Sequence, residues 1–170
     1  MRILITGGAG FIGSRLAKHL LVVGHEIAVI DNLNDYYDPA IKVANIDALS
    51  ENKAFSFYKG DIRSVSDMEN IFLNHKIEMV VHLAAQAGVR PSIQDPKLYY
   101  DVNINGTLNI LETMKKFGCK KMVFGSSSSV YGNNKVTPFS EEHPVDNPIS
   151  PYAATKKSGE LLCYNYHHHT

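Results

Sequence analysis

Thr6-Gly7-Gly8-Ala9-Gly10-Phe11-Ile12-Gly13 is the stretch on which the fold turns. It follows the apolar run Ile3-Leu4-Ile5 and opens a segment in which Ile12, Leu16 and Leu20 recur at helical spacing, with Gly24 at its end. A strand, then a turn with glycines at 7, 10 and 13, then a helix suits a dinucleotide's pyrophosphate. One glycine makes the tight turn, the next admits the phosphates, and the third lets helix pack on strand. The first N–H groups of the helix have no intrahelical partner and present partial positive charge to the anion. A glycine-rich loop without a ligand is the plain alternative, and the strand before and the helix after weigh against it.

Outward from this turn, apolar runs and helical periods alternate. Ile27 to Ile30 reads as a second strand that ends on Asp31. Residues 32 to 52 are polar and poorly periodic, which predicts a loop with a short helix. Phe55 to Tyr58 is a third strand, running into Gly60-Asp61-Ile62, and Ser66-Asp67-Met68-Glu69 reads as a capping box opening the next helix. Met79 to Leu83 is a fourth strand that continues into Ala84-Ala85. A long helix over residues 97 to 117 stops at Gly118, Met122-Val123-Phe124 is a fifth strand, and a last helix carries Tyr152 and Lys156. Strands alternating with helices predict one α/β domain, a doubly wound parallel sheet of the Rossmann type. The sequence contains no internal repeat, low-complexity segment or clear linker.

Lysine plus arginine and aspartate plus glutamate stand at 17 each, so charge points to neither nucleic acid nor a membrane surface. No apolar run approaches the ~18 residues that span a bilayer. Strand residues from Arg2 leave no room for a signal peptide, and a cytoplasmic protein is expected. Cys119 and Cys163 give neither a disulfide framework nor metal-ligand spacing. His167-His168-His169 are adjacent and cannot all face one site on a helix; they read as a polar helix end, and no metal is expected.

The strand ends supply the candidate ligands. A carboxylate at Asp31 can accept hydrogen bonds from both adenosine ribose hydroxyls and would repel a 2′-phosphate. No cation follows in Asn32-Leu33-Asn34, so NAD is expected over NADP. Asp61 and Ile62 end strand three within reach of an adenine ring, and Leu83, Ala84 and Ala85 let backbone approach the cofactor after strand four. Each could equally be a plain turn; together they stand where open α/β sheets bind ligands. Tyr152 and Lys156, at i and i+4, share a helix face. A neighbouring ammonium and a positive nicotinamide favour the phenolate, so Tyr152 can take a proton from a substrate hydroxyl as hydride leaves. Gly125-Ser126-Ser127-Ser128-Ser129 follows strand five, where a hydroxyl can bond the same substrate oxygen; chemistry alone does not rank the four serines.

These motifs, taken together with His82-Leu83-Ala84-Ala85, Asn103-Ile104-Asn105-Gly106-Thr107 and Val130-Tyr131-Gly132, resemble the extended short-chain dehydrogenase/reductase family, the NAD-dependent sugar epimerases and dehydratases. The resemblance covers essentially the whole chain. It implies that Ser127, Tyr152 and Lys156 are catalytic, with Lys156 also holding the nicotinamide ribose. It places Gly7, Gly10, Phe11, Ile12, Gly13, Asp31, Asn32, Asp61, Ile62, Leu83, Ala84, Ala85, Asn103, Ser126, Tyr152 and Lys156 around NAD, and Ser127, Ser128 and Tyr152 at the substrate. The segments 31–39, Ala85-Gln86-Ala87-Gly88-Val89-Arg90 and Glu141-Glu142-His143-Pro144-Val145-Asp146 resemble most the 4-epimerases acting on UDP-glucuronate. Pro91 departs from that subgroup, which usually has an aromatic there. Serines at 128 and 129 replace the acidic pair with which related 4,6-dehydratases eliminate water.

The resemblance implies epimerisation at C4 of a nucleotide sugar, with UDP-glucuronate the expected substrate, through a 4-keto intermediate. Its alternatives are a dehydratase, a decarboxylase, a reductase, or a catalytically silent NAD-binding protein. It further implies that residues 1–170 form an incomplete NAD-binding domain, ending after the helix of Tyr152 and Lys156 and lacking a carboxy-terminal substrate domain. On that expectation the chain alone turns over weakly, and the full-length family forms homodimers.

Overall fold

A computed structural model describes residues 1–169. Five strands form one parallel sheet: β1 (Arg2–Thr6), β2 (Glu26–Asp31), β3 (Phe55–Lys59), β4 (Met79–His82) and β5 (Met122–Phe124), in the order β3-β2-β1-β4-β5. The order reverses between β1 and β4, and that crevice is where such sheets bind ligands. Period-two alternation sends Ile3, Ile5, Ile27 and Val29 to one core layer, and Leu4, Ala28, Ile30 and Val80 to the other. Both faces are covered, so the strands read as continuous apolar runs.

One layer is closed by α1 (Phe11–Val22) and α2 (Pro39–Ser50). The expected α1 face of Ile12, Leu16 and Leu20 is corrected. The buried residues are Gly13, Ser14, Ala17 and Leu21, while Leu16 and Leu20 are flanking and Ile12 is exposed. Small side chains let this helix lie close to the sheet, so the bulky row is displaced to its edges. The polar stretch after Asp31 holds a full twelve-residue helix, with Asp38 capping its start through Ala40 N at 2.9 Å. Its buried row is Lys42, Ile46 and Leu49. A lysine on the inner face hid the helical period.

The other layer contains α3 (Val65–Asn74) and α6 (Gly106–Phe117). Ser64, rather than Ser66, caps α3: its hydroxyl accepts Asp67 N at 3.2 Å. The Asp67 carboxylate accepts Asp61 N at 3.0 Å, and Ser66 is merely a neighbour, its oxygen 3.0 Å from that of Ser64. A short α4 (Val89–Gln94), which the sequence reading missed, follows Gly88 at φ 97°, with Pro91 near its start. The expected long helix comprises α5 (Pro96–Tyr100), a π-turn over Asp101–Asn105, and α6, ended by Gly118 at φ 71°. A π-turn widens a helix locally, and Asn103 lies inside it. Finally α7 (Pro151–His169) packs on β5 so tightly that a Cβ on Gly159 would collide with the Phe124 ring.

Candidate active site

The glycine turn packs too closely against its neighbours to carry side chains at positions 7 and 13. Gly7 sits at φ 69°, and a Cβ there would meet Ala84 N at 2.7 Å. A Cβ on Gly13 would meet Gly7 O and Gly8 Cα, both at 2.6 Å. The turn and the first coil of α1 therefore touch backbone to backbone. Beside them a cleft of about 210 Å³ opens. Of the residues expected at the cofactor, Gly7, Gly10, Asp31, Asn32, Asp61, Ile62, Leu83, Ala84 and Ala85 line it. Phe11, Ile12 and Gly13 lie behind the turn on α1, with the first two side chains largely in solvent.

Asp31 is buried at the end of β2. One carboxylate oxygen accepts Ala9 N at 3.1 Å, tying the glycine turn in place, and the other accepts Leu33 N at 2.9 Å. An ionised carboxylate offers about four lone-pair sites, so two remain for a ribose diol. Sequence reasoning missed Lys42, which α2 brings into the cleft with its Nζ 4.0 Å from Asp31. That ammonium donates to the carbonyl and the side-chain oxygen of Asn34, at 3.0 and 2.5 Å. No cation stands in Asn32-Leu33-Asn34 directly after Asp31, yet one lies beside it in space. Burial and the Asp31 charge push the Tyr37 phenol at the cleft wall upward. At the far end, hydrogen bonds from the Arg63 side chain hold Asp61 at about 2 against the opposing effect of burial, and Asn32 adds a further bond.

The catalytic candidates stand outside this cleft, at β5 and α7. Lys156 is buried, and its Nζ donates to Gly125 O at 2.6 Å, with the Phe124 ring 5.2 Å away. Burial lowers its pKa to about 8. Ser127 caps a short 3-10 turn, Ser128–Tyr131, by accepting Ser129 N at 3.1 Å, so its own hydroxyl proton stays available. Tyr152, in the first turn of α7, stands edge-on to Tyr99 with ring centroids 6.2 Å apart. Ser128 is exposed. Ser126, expected near the nicotinamide, is exposed and donates to Glu160 at 2.5 Å.

Asn103 joins the two regions. Its side chain accepts Gln86 N at 2.7 Å and donates to Gln86 O at 3.0 Å and to Thr155 of α7 at 2.9 Å. Among the described residues no cluster of three or more histidine, cysteine or acidic side chains could hold a metal. Nor is any described helix long and apolar enough to cross a membrane.

A doubly wound sheet with a glycine turn at its switch point and a Tyr-x-x-x-Lys helix beyond β5 is the frame of the short-chain dehydrogenase/reductase class. Residues 4–170 match the family described as GDP-mannose 4,6 dehydratase, and the chain belongs to that family of nucleotide-sugar epimerases and dehydratases. The UDP-glucuronate 4-epimerase of Thermodesulfobacterium geofontis is 50% identical over 165 residues, 97% of this chain and 51% of the relative. The Bacillus cereus UDP-glucuronic acid 4-epimerase, solved with UDP-glucuronic acid and NAD, superposes with a TM-score of 0.89. It is 40% identical, and the match covers 99% of this chain and 52% of that one. The UDP-glucose 4-epimerase of Bifidobacterium longum, solved with NAD+ and UDP, gives a TM-score of 0.91 at 34% identity, over 99% of this chain and 50% of that one. The chain thus spans about half the length of the relatives it matches.

Proposed function

We propose that the protein binds NAD across the carboxyl ends of its strands and epimerises a UDP-sugar at C4, with UDP-glucuronate as substrate. The residues present fit NAD. Gly7 and Gly13 let the turn close backbone on backbone, Gly7 and Gly10 line the cleft without side chains, and Asp31 keeps two acceptor sites for the ribose. Bound there, NAD would supply a reversible hydride acceptor.

The observation that carries the reading is the pairing of Lys156 with Gly125 O at the end of β5, four residues along α7 from Tyr152 and beside Ser127. On this reading Lys156, four residues along the same helix, lends positive charge to the Tyr152 phenol, which takes the proton of the sugar hydroxyl and later returns it. Ser127 can donate to that same oxygen as charge develops on it. Serines at 128 and 129 supply no carboxylate for eliminating water, which favours epimerisation over the dehydration for which the family is named. Half of each relative lies outside the matched region, so the relatives' sugar preference supports the choice of UDP-glucuronate only through overall likeness. The test is Tyr152→Phe in the intact protein: turnover of UDP-glucuronate should fall at least roughly hundredfold while NAD stays bound. Wild-type turnover in the variant would sink the assignment.

A further inference from the structure

A continuous buried hydrogen-bond chain runs from the glycine turn to the helix of Tyr152, and its proton directions are forced. The Thr6 hydroxyl accepts Leu83 N at 3.2 Å and Ala84 N at 3.1 Å, which occupies both its lone pairs. Its single proton must therefore go to His82 Nδ1, 2.6 Å away. A neutral ring that accepts at Nδ1 carries its proton on Nε2, which donates to Thr107 Oγ1 at 2.9 Å. Thr107 spends its own proton on Asn103 O at 2.6 Å. The Asn103 side chain holds Gln86 at the cleft and Thr155 on α7, and Thr155 donates to the carbonyl of Tyr152 at 2.8 Å.

We propose that His82 is a positioning residue for the reaction at Tyr152, joining the glycine turn to α7 as a fixed Nε2–H tautomer. The role rests on the reading of Tyr152 as the proton acceptor. Turn and helix are far apart in sequence but must meet within a fraction of an ångström for hydride and proton transfer to coincide. Apolar packing is non-directional; a chain with one allowed proton order is directional. A second proton on Nδ1 would face the Thr6 hydroxyl and leave that hydroxyl without an acceptor. The surroundings agree: the ring is buried, Phe124 packs 5.6 Å away, and burial together with the Lys156 charge lowers its pKa to about 3. No buried side-chain nitrogen or oxygen among the described residues lacks a partner, so the chain is fully satisfied.

The test uses NAD-loaded protein carrying nitrogen-15 histidine, with the His82 signals identified by their loss in His82→Gln. Between about pH 8 and about pH 5, where an ordinary histidine titrates, His82 should remain a neutral Nε2–H ring. An Nδ1–H tautomer, or titration in that range, overturns the proposal. In a second arm Thr107→Val breaks the chain and Thr107→Ser keeps it. Tyr152 ring signals should shift in the valine variant and return to wild-type positions in the serine variant; identical signals in both overturn it. Should Thr107→Val not fold, Thr155→Val breaks the chain one step nearer Tyr152 and is read in the same way. With UDP-glucuronate the broken variant should lose roughly ten- to a hundredfold in kcat with KM unchanged. Absence of turnover in the wild type would refute the epimerase reading and leave both NMR arms standing.

Discussion

Replacing Lys156 by methionine should stabilise the fold at neutral pH and destabilise it in alkali. Burial lowers the lysine from its ordinary 10.5 to about 8, so the folded chain releases its proton before the unfolded chain does. Between these values the unfolded state holds more protons, and stability rises with pH. Below pH 8 the full burden of a buried ammonium is present, about 3 kcal/mol at 1.36 kcal/mol per unit. Methionine removes that burden but leaves Gly125 O without its donor, at a cost of about 1 kcal/mol. Lys156→Met should therefore be more stable than wild type by about 2 kcal/mol at pH 7, and less stable by about 1 kcal/mol above pH 10.5. The chain has no tryptophan, so urea unfolding is followed by circular dichroism at a series of pH values. Comparing the two proteins cancels the tyrosines, cysteines and surface lysines that titrate in the same range. A stability difference that stays constant from pH 7 to pH 10.5 would refute the reasoning. A more stable but inactive variant is the pattern expected where a site holds a charge at the fold's expense.

Two further substitutions probe the cleft. Gly13→Ala places a methyl 2.6 Å from Gly7 O and Gly8 Cα, backbone that cannot swing away; it should cost about 1–3 kcal/mol in urea unfolding and weaken NAD binding, and unchanged stability would count against the tight turn. Asp31→Ala removes the carboxylate proposed to accept the ribose hydroxyls and leaves the Lys42 ammonium beside the vacated position. NAD affinity measured by calorimetry should fall roughly ten- to a hundredfold while NADP gains relative to it, and an unaltered NAD-to-NADP ratio would show that Asp31 does not discriminate.

Local signals with strong periodicity carried most of the fold. The runs at Ile3, Ile27, Phe55, Met79 and Met122 are all strands of one parallel sheet, the class of sheet that the glycine turn implied. Features lacking such a signal were invisible. α2 buries a lysine where a period would show an apolar residue, α4 is only six residues long, and the π-turn around Asn103 has no distinguishing composition. At the site, the strand-end residues were legible because the fold dictates where ligands lie. Lys42 was not, since it reaches Asp31 from a different element. The partner of Ser126 is likewise a tertiary matter, set by where α7 carries Glu160. His82 could be read as a strand end, but its two threonine partners are 76 and 25 residues away in sequence.

The central claim is that this fold inverts the configuration at C4 of a UDP-sugar and returns the same hydrogen to that carbon. UDP-glucuronate deuterated at C4, incubated with the intact protein and NAD in ordinary water, tests it directly by NMR. The account predicts UDP-galacturonate with deuterium retained at C4, and none formed by Tyr152→Phe. Loss of the deuterium to solvent, release of carbon dioxide, or a dehydrated product would contradict it.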